Sequence, residues 1–393
     1  MTLTNQQTAI LRLFRGRGIG PTTFYKLLEH YGDPQTALEG LETENKRLKP
    51  APAEAVQREL ARLEKMAARL VFYTDDIYPA ALRALPDAPP VVAALGRLEL
   101  LNTPMVAMVG ARNASANGCR LAQNLAAELG AAGWGVASGL ARGIDTAAHK
   151  GALRGGTGTI AVLGGGLDHI YPTENTELFK QIAREGLILA ETPLGAKPTA
   201  QSFPRRNRIV SGLCAGTVVV EAARHSGSLI TAQQAGEQGR EVMAIPGHPS
   251  EPRSYGCNHL LRQGATLVSA AEDILEAVKN FRFSEPQQAA PTLYTRENQP
   301  AFELDLPAPE ATPDRETTPA HQNNPRASEA QADTLADRIL AALSTGQTPL
   351  DDVMTAVGES ETRVLAAITE LELDGAVERL AGGYLVLAQS PSQ

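Results

Sequence analysis

The segment FPRRNR, Phe203 to Arg208, sets three guanidinium groups and one aromatic ring within six residues of a chain whose formal net charge is -8. A ring among arginines suits a nucleobase stacked on its face while the guanidinium groups neutralise phosphates. One phosphate group does not need Arg112, Arg205, Arg206 and Arg208 together, whereas a chain of phosphates does. Arg208 and Asn207 have a second reading, pairing with Glu191 or Glu221.

The other candidates lie in short Gly-rich and Ser-rich stretches. In GARNAS, Gly110, Ala111, Arg112 and Ser115 end an apolar run and open a helical one, so backbone N–H groups and the helix dipole favour a phosphate there. The stretch is neither G-x-G-x-x-G nor a P-loop. Arg112 is therefore expected to meet the phosphate as a forked donor, the alternative being a carboxylate at the sheet edge. Gly164, Gly165 and Gly166 of GGGLDHIYP allow close approach of a ligand backbone, or serve a turn needing positive φ. Ser226, Gly227 and Ser228 open another helix, where one serine caps and the other hydroxyl is expected to be free. Asp145 and His149 share a helix face at i, i+4. With no nucleophile, metal set or orienting third group beside them, they read as a capping Asp and a locally bonded His, and no catalytic residue is expected.

Position requires a scaffold. Apolar runs MVAMVG, GVASG, TIAVLG, LILAET, TVVVEA, VMAIPG and ATLV alternate with helix-periodic segments, which predicts a doubly wound, Rossmann-like α/β domain with a parallel sheet. Ligands of such sheets bind outside the carboxyl ends of the strands. The stretches above, including ETPLGAKPTAQSFPRRNR as a loop, all leave those ends. Residues 71–100 add a further strand and loop. Residues 1–70 read as a small helical unit of the SAM-like or helix-hairpin-helix type, in which Gly18 and Gly20 either expose N–H groups to phosphate or simply pack. Residues 71–283 form the sheet domain. Residues 284–330 hold eight prolines and two aromatics, the composition of a linker. Residues 331–388 read as three helices and a two-stranded wing, a winged helix.

The acidity is local. Residues 281–393 carry 7 basic and 18 acidic groups, while residues 101–280 carry 16 and 14, so a low pI does not exclude an anion-binding surface in the middle. Cys119, Cys214 and Cys257 have no metal-ligand or disulfide spacing and read as small buried hydrophobes. Neither a leader-like start nor a membrane-length apolar run is present, so a cytoplasmic protein without metal, cofactor or membrane insertion is expected.

MVGARNASANG, SGLARGIDTAAHKGAL, AVLGGGLDHIYPTEN, SFPRRNRIVSGLCAGTVVVEA, SGSLITAQQAGEQGREVMAIPG and GCNHLLRQGATLV closely resemble the DprA/Smf family of DNA-processing proteins, almost continuously over 105–275. The resemblance implies a non-enzymatic single-stranded DNA binder that protects incoming DNA, loads RecA recombinase during natural transformation and acts as a homodimer. The family's Gly-Ser/Ala-Arg turn matches Gly110, Ala111 and Arg112, and its stacking aromatic matches Phe203. Some members have a basic residue three positions before that aromatic; Ala200 stands there in this chain, with Lys197 near enough to replace it. The implied dimer involves Gly256–Val278, where Leu260, Leu261, Ile274 and Leu275 exceed what one core needs. The competing class is a nucleotide phosphoribohydrolase of the lysine-decarboxylase-like type, whose P-G-G-x-G-T-x-x-E signature this sequence lacks. On the third winged helix, Glu359, Glu361, Glu370, Glu372 and Asp374 against Arg363 predict exclusion from a DNA groove.

Overall fold

The computed structural model describes residues 3–44, 48–281, 335–343, 348–357, 359, 361–373, 377–380 and 384–387. The proposed linker, 284–330, lies outside the described residues. The chain divides into two units, Met1–Gln299 and Pro300–Gln393.

The first unit opens with four helices, α1 (Asn5–Phe14), α2 (Pro21–Tyr31), α3 (Pro34–Glu44) and α4 (Ala53–Lys65). Thr4 and Gln7 close a capping box at α1, and Pro21 starts α2 where its missing N–H costs nothing. Then come β1 (Arg69–Phe72), the single turn α5 (Ala80–Arg83), β2 (Val91–Gly96), β3 (Met105–Val109), α6 (Ala116–Ala131), β4 (Gly135–Ser138), α7 (Ile144–Gly155) and β5 (Thr159–Leu163). They are followed by α8 (Thr176–Glu185), β6 (Leu187–Ala190), α9 (Ser202–Gly212), β7 (Gly216–Val219), α10 (Gly227–Glu237), β8 (Glu241–Ala244), α11 (Tyr255–Arg262), β9 (Thr266–Leu267) and α12 (Ala271–Val278).

The nine strands form one sheet in the order β1-β2-β6-β5-β4-β3-β7-β8-β9. Strands β6 to β9 in that order run parallel, as the alternating pattern predicts. The single strand expected in 71–100 is instead an antiparallel pair, β1 and β2, with β2 also antiparallel to β6, so the sheet is mixed. The parallel order reverses between β3 and β7. A ligand crevice opens at such a reversal because the two connections leave in opposite directions. Every central strand is buried, as a sheet covered by helices on both faces requires.

The helical unit is not separated from the sheet. Leu13, Phe14 and Phe24 share one apolar cluster with Leu163, Ile188 and Ala190. Arg15 fastens the contact, holding Glu59 through Nε and donating through Nη1 to the carbonyl of Glu191 at 2.9 Å. Ile274 is fully buried in the core under α6, so it is unavailable to a partner copy, while Leu260, Leu261 and Leu275 are half-buried. Cys214 and Cys257 are buried as expected, and Cys119 is half-buried.

The second unit holds α13 (Leu335–Ala342), β10 (Thr348–Pro349), α14 (Leu350–Val357), α15 (Glu361–Leu373), β11 (Val377–Leu380) and β12 (Tyr384–Leu387). Its sheet has three strands, β10-β12-β11, one more than the wing read from sequence. Arg363 is paired with Glu359 at 2.8 Å, so the basic charge assigned to the third helix is already neutralised.

Candidate nucleic-acid interface

The carboxyl edge of the parallel strands collects the residues that the sequence singled out, but gives them different tasks. FPRRNR is not a loop: it is the first two turns of α9, with Pro204 in the first turn where a helix tolerates it. A helix sends successive side chains in different directions, and the three arginines part company accordingly.

Arg205 is exposed and makes no ion pair among the described residues. Arg206 points inward and is buried. Its Nη1 donates to the carbonyl of Val162, its Nε donates to Asn207 Oδ1 at 3.1 Å, and its charge faces Asp145. A Cβ on Gly139 would lie 2.2 Å from that guanidinium, so only glycine leaves room for it. Burial lowers the Arg206 pKa to about 10, against the opposing pull of Asp145, so it stays charged at neutral pH. Arg208 is also buried; it pairs with Glu191 and donates to the carbonyl of Asp87 at 2.7 Å. The expectation that Arg206 and Arg208 meet phosphate therefore gives way to an internal role, and Asn207 is occupied by Arg206. Of the two carboxylates considered for Arg208, Glu191 is the partner.

The GARNAS turn is corrected in the same sense. Ser115 caps α6, accepting from Gly118 N at 2.9 Å, while its own N–H and hydroxyl donate to the Glu221 carboxylate. Ala111 N–H donates to the Glu221 carbonyl at 2.7 Å, and Gly110 lies against Ile144. A Cβ at Gly118 would fall 2.5 Å from Glu221 Oε1. The helix N-terminus at the β3–β7 reversal, the usual seat of a pyrophosphate, is thus filled by the protein's own carboxylate. Arg112 is free of this arrangement: exposed, without an ion pair among the described residues, it holds its guanidinium carbon 5.1 Å from the Phe203 ring centroid.

Phe203, half-buried at the start of α9, is the centre of the surface. Gly164 lies beneath it, where a Cβ would be 3.4 Å from the ring. Gly165 and Gly166 lie further back, where a Cβ would press on the 193–198 segment, so they close loop on loop rather than face a ligand. Tyr171, 43 % exposed, sets its ring 5.9 Å from Phe203 at 50°. Tyr171 is not among the candidates drawn from the sequence; an aromatic in a loop leaving β5 is the signal that marks it. Ser226 and Ser228 hydrogen-bond to each other at 2.7 Å, so the hydroxyl expected to be free is used, while Gly227 is exposed beside open space.

Lys197, exposed, and Arg205 line a cavity of about 760 Å³ whose lining also includes the Gly18–Gly20 turn of the helical unit. Gly18 takes φ +79°, and Gly20 caps α2 without a side-chain bond. Asp87 and Glu191 also line it, but both engage Arg208, so the free charges of the wall are positive. Asp145 accepts from Gly139 N at 3.0 Å and Ala141 N at 3.3 Å, while His149 accepts from Leu140 N and contacts Thr159 Oγ1 at 2.7 Å, so each is held by its own local partners. No metal-ligand cluster occurs among the described residues, nor any helix long and apolar enough to cross a membrane.

Comparison with known proteins bears on this edge. The family model for DNA recombination-mediator protein A matches residues 69–279, with a DprA-like N-terminal HHH domain over 4–61 and a DprA winged helix domain over 323–383. Protein Smf of Escherichia coli is 36% identical over 340 residues, 86% of this chain and 83% of that protein. DNA processing protein DprA of Streptococcus pneumoniae is 46% identical over 205 residues, 51% of this chain and 71% of that protein. Its crystal structure superposes with a TM-score of 0.60 at 37% identity, covering 72% of this chain and all of that one. The Helicobacter pylori DprA structure, described for its single-stranded DNA binding mode, gives 0.50 at 31% identity, covering 55% of this chain and 97% of that one. With the mixed sheet, the helical unit before it and the winged helix after it all matched, this chain belongs to the DprA family of DNA-processing proteins.

Proposed function

We propose that the protein binds single-stranded DNA along the carboxyl edge of its sheet, with no chemical step of its own. The observation that carries the reading is the Phe203 surface: a half-exposed ring bounded by Arg112 and Tyr171, with Lys197 and Arg205 making no ion pair among the described residues while the adjacent carboxylates are engaged by Arg208. A strand offers such a surface a base for the ring and phosphates for the cations. The membership of the family and the single-stranded DNA binding of the Helicobacter relative support the same ligand. Glu221, seated where a mononucleotide's phosphate would bind the helix end, argues against the phosphoribohydrolase alternative.

In the cell the bound strand is handed to RecA recombinase by a homodimer working in the cytoplasm, so that two edges engage one strand and gain from effective concentration. The dimer is formed through the 256–278 region, with Leu260, Leu261 and Leu275 available and Ile274 not. The test is a salt titration of oligo(dT) binding by fluorescence anisotropy, in parallel with incubation of the protein with AMP. Affinity falling linearly on log-log axes, with AMP intact, is the expected result. Hydrolysis of AMP, or binding indifferent to salt, would overturn it.

A further inference from the structure

A second arginine-on-ring arrangement stands on the same edge. The guanidinium carbon of Arg224 lies 4.8 Å from the Tyr255 ring centroid, and its Nη2 donates to the tyrosine hydroxyl at 3.0 Å. His259, one turn along α11, lies parallel to the tyrosine with ring centroids 6.3 Å apart and an interplanar angle of 13°. Phe203 has the same company: Arg112 at 5.1 Å and Tyr171 at 5.9 Å. Among the described residues the large exposed apolar side chains include two aromatics, Tyr171 at 43 % and Tyr255 at 38 %, and each belongs to one of these two arrangements.

The two are tied into one surface. Arg253 Nε donates to the carbonyl of Asn113, the neighbour of Arg112, and Gly256 N–H donates to the Ala222 carbonyl at the end of β7. The nearby carboxylates are engaged: Glu251 with Arg253, and Glu221 with Ser115. Arg224, His225 and His259 remain exposed to an anionic ligand. Phe203 lies by Gly164, just past β5, and Tyr255 adjoins Gly256, which bonds to Ala222 just past β7; in the order β5-β4-β3-β7 those strand ends are three spacings apart, or about 14 Å. A stacked single strand covers that distance in roughly four nucleotides at about 3.4 Å each.

We propose that Tyr255, held by Arg224 and His259, is a second base-stacking platform for the strand that Phe203 binds. The proposal rests on the single-stranded DNA reading. A strand crossing the β3–β7 reversal stacks one base on each ring and sets the intervening phosphates against Arg112.

The test compares an unmodified oligo(dT) 20-mer with a 20-mer of abasic residues, which keeps every phosphate and offers no base. Tyr255→Ala is expected to weaken oligo(dT) binding about tenfold, to leave abasic binding unchanged, and to leave the sedimentation coefficient of the protein unchanged. Tyr255→Phe, which retains the ring, is expected to restore most of the loss. An equal loss on both strands, no loss on oligo(dT), or a loss accompanied by a change in oligomeric state would overturn the proposal. Phe203→Ala in the same assay separates the two readings, because its failure to weaken oligo(dT) binding removes the primary site whatever Tyr255 does.

Discussion

The Phe203 ring already has an occupant, the Arg112 guanidinium. A base that takes that face must displace it, and the freed guanidinium turns to a phosphate. Stacking is worth about 1–3 kcal/mol per base, and an exposed cation–π contact about 0.5–1 kcal/mol. Phe203→Ala is therefore expected to cost the difference, about 0.5–2 kcal/mol, roughly a two- to thirtyfold loss of affinity. Arg112→Ala loses a phosphate contact but uncovers the ring, so its cost is likewise reduced by the cation–π energy. That energy is subtracted once in the double mutant and twice in the sum of the singles. The loss in the double mutant is thus expected to exceed the sum by about 0.5–1 kcal/mol. Oligo(dT) anisotropy across a salt series reads both parts: Arg112→Ala lowers the log-log slope by about 0.7, and Phe203→Ala leaves it unchanged, because stacking releases no counterions. Strict additivity with identical slopes in both single mutants would refute the displacement argument.

Three further outcomes follow from the geometry. Arg206→Ala leaves Asp145 buried without its counter-charge and is expected to cost about 3–5 kcal/mol in urea unfolding, whereas exposed Arg205→Ala leaves stability within about 0.5 kcal/mol and lowers the salt slope. His149 is buried with its pKa lowered from 6.5 to about 3, so the unfolded chain takes up a proton that the native one refuses, and stability falls by up to about 1.4 kcal/mol per unit as pH drops from 6.5 towards 3. The carboxyls of Asp145 and Glu191, raised by burial, act in the opposite direction, so the measurement is wild type against His149→Gln, whose urea midpoint is expected to vary less between pH 7 and pH 5. Ending the chain at Phe283 is expected to keep single-strand affinity within about threefold, roughly 0.7 kcal/mol, because Arg363 on α15 is already paired with Glu359; a hundredfold loss in a folded protein would show that the tail contacts DNA.

The parallel strands were legible because each is a short run of Val, Ile, Leu, Ala or Met closed by glycine or a turn, and a buried strand needs nothing else. Phe203 and Arg112 were legible because neither residue type is explained by a core at a strand end. Local pattern could not separate Arg206 from Arg205, since the difference lies in Asp145, Gly139 and the Val162 carbonyl, all brought in from other elements. The same holds for Ser115 and Ala111, whose donors are taken by Glu221 from across the sheet reversal. Pro204 hid the start of α9, because proline in an arginine-rich stretch reads as loop unless the helix is known to begin just before it. The pairing of β1 with β2 was missed because the intervening residues carry no tight-turn signal.

The two rims of the nine-stranded sheet are unequal. At one, β1 is terminal, with Leu70 and Phe72 buried against the helical unit and Val71 buried on the opposite face. At the other, β9 is only two residues long and its Leu267 is 51 % exposed. Open sheet edges invite unlimited edge-to-edge growth, and natural proteins blunt them by covering or shortening them. Shortness blunts the second rim: β9 offers two residues, so an added strand would find too few backbone partners there to repay the entropy of ordering it.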